Sequence, residues 1–97
     1  MTAKLTAPTV HLNGTSGNEL ADGYMKAAVA IQTAIEAIYE TYPNERDYYL
    51  QEPGAHARAC NEAIERAKRL ICVRDAMLGL YETVMEQLDK KQKQTVR

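Results

Sequence analysis

After Pro53 the chain runs to residue 97 without another proline. Apolar residues recur there every three and four positions, so the stretch reads as one long helix. Its apolar positions fall on two neighbouring lines. Ala57, Cys60, Ile64, Ala67, Ile71, Leu78, Tyr81, Met85 and Leu88 form one, and Ala63, Leu70, Val73, Met77, Leu80 and Val84 form the other. A helix with two apolar lines needs two partners to cover them. One partner lies upstream, where Leu20, Tyr24, Ala27, Ile31, Ala34, Ile35 and Ile38 repeat at helical spacing. Ser16, with Glu19 three residues later, makes a capping box ahead of that repeat, and Pro43 disfavours helical geometry at Tyr42.

These signals predict a single all-α domain over residues 1–97. An extended arm and cap occupy 1–16, helix one 17–42, an interhelical loop 43–52, helix two 53–90 and a frayed tail 91–97. Pro53 suits the first position of helix two, and Lys90, Lys91 and Lys93 complement the dipole at its end. Residues 9–13 alternate in the manner of a short strand, whose pairing partner is left open. At 1.5 Å per residue the helices measure about 39 and 55 Å, so the second overhangs the first. A hairpin of this size closes little core by itself. The expectation is therefore a long two-helix antiparallel hairpin that oligomerises into a four-helix bundle, as a dimer or as a higher oligomer built from dimers. Gly23, in the second turn of helix one, implies either a close neighbour or a loose turn.

Composition removes several function classes. Twelve Lys+Arg against thirteen Asp+Glu leave a net charge of -1, which disfavours a nucleic-acid coat. No apolar run approaches the roughly 20 residues that span a bilayer, and the N-terminus lacks a secretory h-region, so a cytoplasmic protein with reduced thiols is expected. Cys60 and Cys72 lie about 18 Å apart along one helix and cannot pair within it. Two Cys and two His without close spacing give no zinc signature, and no metal or cofactor is expected.

Two segments carry candidate binding chemistry. Asn13, Gly14, Thr15 and Ser16 form a turn that feeds a helix N-terminus, where free N–H groups, the helix dipole and two hydroxyls suit a phosphate or carboxylate; an ordinary capped helix start reads the same way. Arg46, Asp47, Tyr48 and Tyr49 place a guanidinium fork beside two rings that can stack on a base; the plainer reading pairs Asp47 with Arg46 and closes the bundle end with the tyrosines. In an antiparallel hairpin these segments lie almost 40 Å apart. An antiparallel dimer brings the turn of one chain to the loop of the other. Arg74 falls within the first apolar line and requires an anion, either a carboxylate such as Asp75 or Glu36, or a ligand. His11 and His56 show no acid–base arrangement, so catalysis is not expected.

Through Thr9-Val10-His11-Leu12-Asn13-Gly14-Thr15 and Pro43-Asn44-Glu45-Arg46-Asp47-Tyr48-Tyr49 the chain resembles short reading frames of tailed bacteriophages and prophages over nearly its whole length. The resemblance implies a phage protein made in the host bacterial cytoplasm. Small non-enzymatic phage proteins of this size include anti-defence sponges, oligomers that sequester the cyclic-nucleotide signals of CBASS or Thoeris systems. By analogy, the expected function is a homo-oligomer that withholds a small phosphorylated ligand, a cyclic-nucleotide-type immune signal, from a host effector. The alternatives are a helical inhibitor or adaptor that docks on a host protein, and a minor virion or packaging component.

Overall fold

The computed structural model describes residues 5–95, with side chains through Lys91. Helix α1 spans Gly17–Glu40 and helix α2 spans Ala55–Thr95. A short 3-10 turn, Glu45–Asp47, lies between them. The helices pack antiparallel. Gly17 at the start of α1 lies against Leu88 near the end of α2, Gln32 accepts a hydrogen bond from Arg74 at 2.6 Å, and the Pro43 carbonyl meets His56 near the start of α2. At 1.5 Å per residue α2 is about 62 Å long, most of the 70 Å long axis of the molecule. The hairpin is therefore formed, and no strand occurs among the described residues.

The helix boundaries differ from the expected ones for local reasons. α1 stops at Glu40 rather than 42, because the chain tightens before Pro43: the N–H groups of Thr41 and Tyr42 turn to the carbonyls of Ile38 and Tyr39, three residues back. α2 starts at Ala55 rather than Pro53. Gly54 has φ 91°, and Ala55 N–H donates to the Glu52 carbonyl at 3.2 Å. Proline followed by a glycine at positive φ is the pattern of a type II turn, so Pro53-Gly54 turns the chain into the helix instead of beginning it. At the far end the helix continues through Thr95, beyond the tail boundary expected at residue 91; residues 96 and 97 lie outside those described.

The seam is built from small residues. On α1 the buried positions are Ala21, Ala28 and Ile35, one heptad apart, and on α2 they are Ala55, Ala59, Ala63 and Ala67, four apart, with Val84 further on. Of the larger residues of the expected α1 stripe, Ile35 is buried, whereas Leu20, Tyr24, Ile31 and Ile38 are only half-buried, and Ala57 of α2 is exposed. Small residues fill most of the buried positions on both helices, and the larger apolar residues fall on the flanks of the contact. Ile64, Val73 and Met85 on α2 and Val29 on α1 stay at least 40% exposed.

Upstream of α1 the chain lies along the C-terminal half of α2. A methyl of Leu5 sits where a Cβ on Gly79 would be only 2.7 Å away, so the glycine leaves room for the arm. Further along, the Gln87 carboxamide accepts from Val10 N–H at 2.8 Å and donates to the Pro8 carbonyl at 2.9 Å. One side chain thus satisfies a backbone donor and a backbone acceptor, as a neighbouring strand would. The extended segment docks within its own chain by this amide clamp.

Nothing lies within 4 Å of a Cβ built on Gly23, which is exposed. No neighbour in the chain requires the missing side chain, so Gly23→Ala is expected to stabilise the protein by about 1 kcal/mol through helix propensity. A thermal melt that moves upward checks this.

Candidate functional site

The turn before α1 is exposed throughout. Gly14 N–H donates to the His11 carbonyl at 3.2 Å, and the His11 ring folds over Gly14 so closely that a Cβ there would lie 2.8 Å from Nε2. Ser16 caps α1, its Oγ accepting from Glu19 N–H at 3.1 Å. Asn13, Gly14, Thr15 and Ser16 all face solvent, and Leu12 beside them is 93% exposed. The helix start lies in the same turn, so its free N–H groups are close to these side chains.

At the opposite end, Asn44 organises the loop by accepting Arg46 N–H on Oδ1 at 3.1 Å. Arg46 and Asp47 are exposed, and they form no ion pair with each other. The two tyrosines separate. Tyr48 turns inward to a tilted contact with His56, ring centroids 6.0 Å apart, whereas Tyr49 is 71% and Leu50 86% exposed. One tyrosine therefore packs on the start of α2 at the loop end of the hairpin, and the other stays exposed three residues on from the unpaired Arg46. Downstream, Glu52 is joined to Arg58. Its carboxyl is held below the usual carboxylate range, first by backbone hydrogen bonding at its own residue, then by the hydrogen bond and charge of Arg58.

Beneath the loop lies a group that the sequence reading passed over. Cys60 Sγ is 3.4 Å from His56 Nε2, and the same nitrogen lies 3.2 Å from the Pro43 carbonyl. The Tyr42 phenol is pushed above the ordinary tyrosine value, chiefly by hydrogen bonding with Cys60, then by burial, then by the Cys60 charge. The signal was present as the four-residue spacing of His56 and Cys60, which places both on one helix face. The cluster ties the loop to the first turns of α2: a protonated Nε2 donates to the Pro43 carbonyl, and an unprotonated one accepts the thiol.

Arg74 is only partly exposed, and its charge is answered within the chain. Its guanidinium donates to Asp75 at 3.0 Å and to Gln32 at 2.6 Å. It forms one wall of an open, largely apolar groove of about 250 Å³ with Met25, Ala28, Val29, Gln32 and Leu78. The glycine turn at the Leu88 end and the loop at the His56 end are separated by on the order of 45 Å along α2, so one chain does not bring the two candidate segments together. Among the described residues no helix is long and apolar enough to cross a membrane, and no cluster of three metal-ligating side chains occurs. Comparison with protein-family models, curated proteins and solved structures finds no match to the chain.

Proposed function

We propose that the protein is a non-catalytic homo-oligomeric binding protein that holds a small phosphorylated ligand in clefts formed between chains. The observation that carries this reading is the exposed Arg46, free of any carboxylate, in the same short loop as the exposed Tyr49. A phosphate satisfies such a guanidinium bidentately and a base stacks on such a ring. In an antiparallel dimer the turn of Asn13, Gly14, Thr15 and Ser16 from one subunit faces this loop of the other, adding N–H and hydroxyl donors. Arg74 is spoken for by Asp75 and contributes to the dimer face rather than to the ligand. In the setting implied by the sequence resemblance, a phage protein in a bacterial cytoplasm, the ligand class is a cyclic-nucleotide-type immune signal, and binding withholds it from a host effector.

Calorimetric titration with cyclic mono- and dinucleotides tests the proposal. Arg46→Ala is expected to weaken binding by roughly 10- to 100-fold, the worth of a charged hydrogen bond. Failure of the native protein to bind any of these ligands overturns the ligand assignment. A second reading, a helical adaptor for a host protein, draws on the exposure of Val29, Ile64, Val73 and Met85. It requires a monomer or weak dimer that captures a partner in stoichiometric amount, with those residues at the contact.

A further inference from the structure

We propose that the second copy docks on one face of α2, the line of Ile64, Ile71, Leu78 and Met85, with the two α2 helices antiparallel and Lys68 of each chain facing Glu82 of the partner subunit. The inference rests on the oligomer proposed above and specifies its interface. These four apolar residues are spaced by seven, so they share one face of the helix. All four are incompletely buried in the single chain, Ile64 and Met85 each 40% exposed. α1 continues the face. Met25 and Val29 meet Leu78 across the groove beside Arg74, and Val29 is 57% exposed.

Charge determines both the partner and its direction. Between residues 58 and 74, α2 carries Arg58, Arg66, Lys68, Arg69 and Arg74 against Glu62 and Glu65; between 75 and 89 it carries Asp75, Glu82, Glu86 and Asp89 and no basic residue. A helix divided in this way is complementary to itself when reversed. The heptad line bordering the apolar face, on the side away from α1, reads Asn61, Lys68, Asp75, Glu82 and Asp89. Antiparallel pairing about a twofold axis between Arg74 and Asp75 sets Ile64 opposite Met85 and Ile71 opposite Leu78, and it brings Lys68 to within one residue's rise, about 1.5 Å, of the level of Glu82, and Asn61 likewise of Asp89. Asp75 approaches its symmetry mate at the axis, where the Arg74 guanidinium, 3.0 Å from it, supplies the counter-charge. Parallel pairing instead sets Glu82 against Glu82 and Lys68 against Lys68. The half-buried stripe on α1 offers no such match, since Glu19 and Asp22 at one end would meet Glu36 and Glu40 at the other.

The same register accounts for the composite clefts. It places Leu88, which packs on Gly17, level with Asn61 of the partner subunit. The glycine turn then comes within about 8 Å along the axis of the partner's His56, on which the tyrosine loop is seated. The ligand cleft is therefore incomplete without the second copy.

Charge reversal tests the pairing. Lys68→Glu and Glu82→Lys, both at exposed positions, are each expected to weaken the dimer about tenfold in sedimentation equilibrium, with helical circular dichroism unchanged, because two symmetry-related attractions become repulsions. The double variant K68E/E82K is expected to return to within about threefold of the native protein. Dimerisation indifferent to the single reversals, or not restored in the double variant, overturns this interface while leaving an oligomer in place. A native chain that stays monomeric overturns both the interface and the oligomer. Rescue in the double variant with no nucleotide bound supports the interface and removes only the ligand assignment.

Discussion

Replacing Ile35 by Ala is expected to cost about 2–5 kcal/mol of folding stability, the range for an isoleucine emptied from a closed site. Ile35 is 2% exposed, and with Val84 it is one of the two large side chains fully enclosed among the described residues. The rest of the buried set is alanine apart from Gly17, and alanine contributes little volume or area to the seam. A domain of this size holds roughly 5–15 kcal/mol in total, so a single truncation removes a large share of it. Denaturant melts at fixed protein concentration measure the effect, since coupled dissociation makes the midpoint depend on concentration. Ile35→Val, which removes one methyl group, is expected to lose about 0.5–1.5 kcal/mol. Equal, small losses for the two variants would place the seam elsewhere.

Ala63→Leu is expected to destabilise the hairpin by about 1–3 kcal/mol for the opposite reason, overfilling. Ala55, Ala59, Ala63 and Ala67 are 9% exposed or less and form a ladder along which the antiparallel segments make close contact. A leucine at its centre either pushes the helices apart or is forced out of a favourable rotamer. Ala57→Leu supplies the control. Ala57 is exposed on the same helix, and leucine is nearly as good a helix former, so its change is expected to stay within about 0.5 kcal/mol. If both substitutions are tolerated equally, the alanine ladder is not the contact between the helices.

The sequence was informative about which segments are helical and much less so about which line of each helix would be buried. Ser16 marked the start of α1 to the residue, and the absence of proline after Pro53 marked α2 as one uninterrupted helix, though not its ends. The apolar pattern on α1 pointed to Leu20, Tyr24, Ala27, Ile31, Ala34, Ile35 and Ile38; of these Ile35 is buried, and the rest of the buried line is Ala21 and Ala28. Adjacent heptad lines have the same period, and hydrophobicity favours the larger residues; the preference for small ones arises only when two backbones come together. The candidate loop was legible as Arg46 and two tyrosines, but their divergence was not. Tyr48 turns to His56 because the loop folds back along the first turns of α2, through the contacts of Pro43 and Tyr42 with His56 and Cys60. The Gln87 clamp on Pro8 and Val10 joins positions nearly eighty residues apart, and no local pattern encodes such a contact.

The central claim is that a single hairpin leaves apolar surface which only a second hairpin covers, and that the ligand clefts arise from that union. Light scattering coupled to size exclusion, run across a hundredfold range of concentration, measures it directly. A mass of twice the 10.9 kDa chain, or a multiple built from such pairs, is the predicted result. A mass of 10.9 kDa at every concentration would contradict the account.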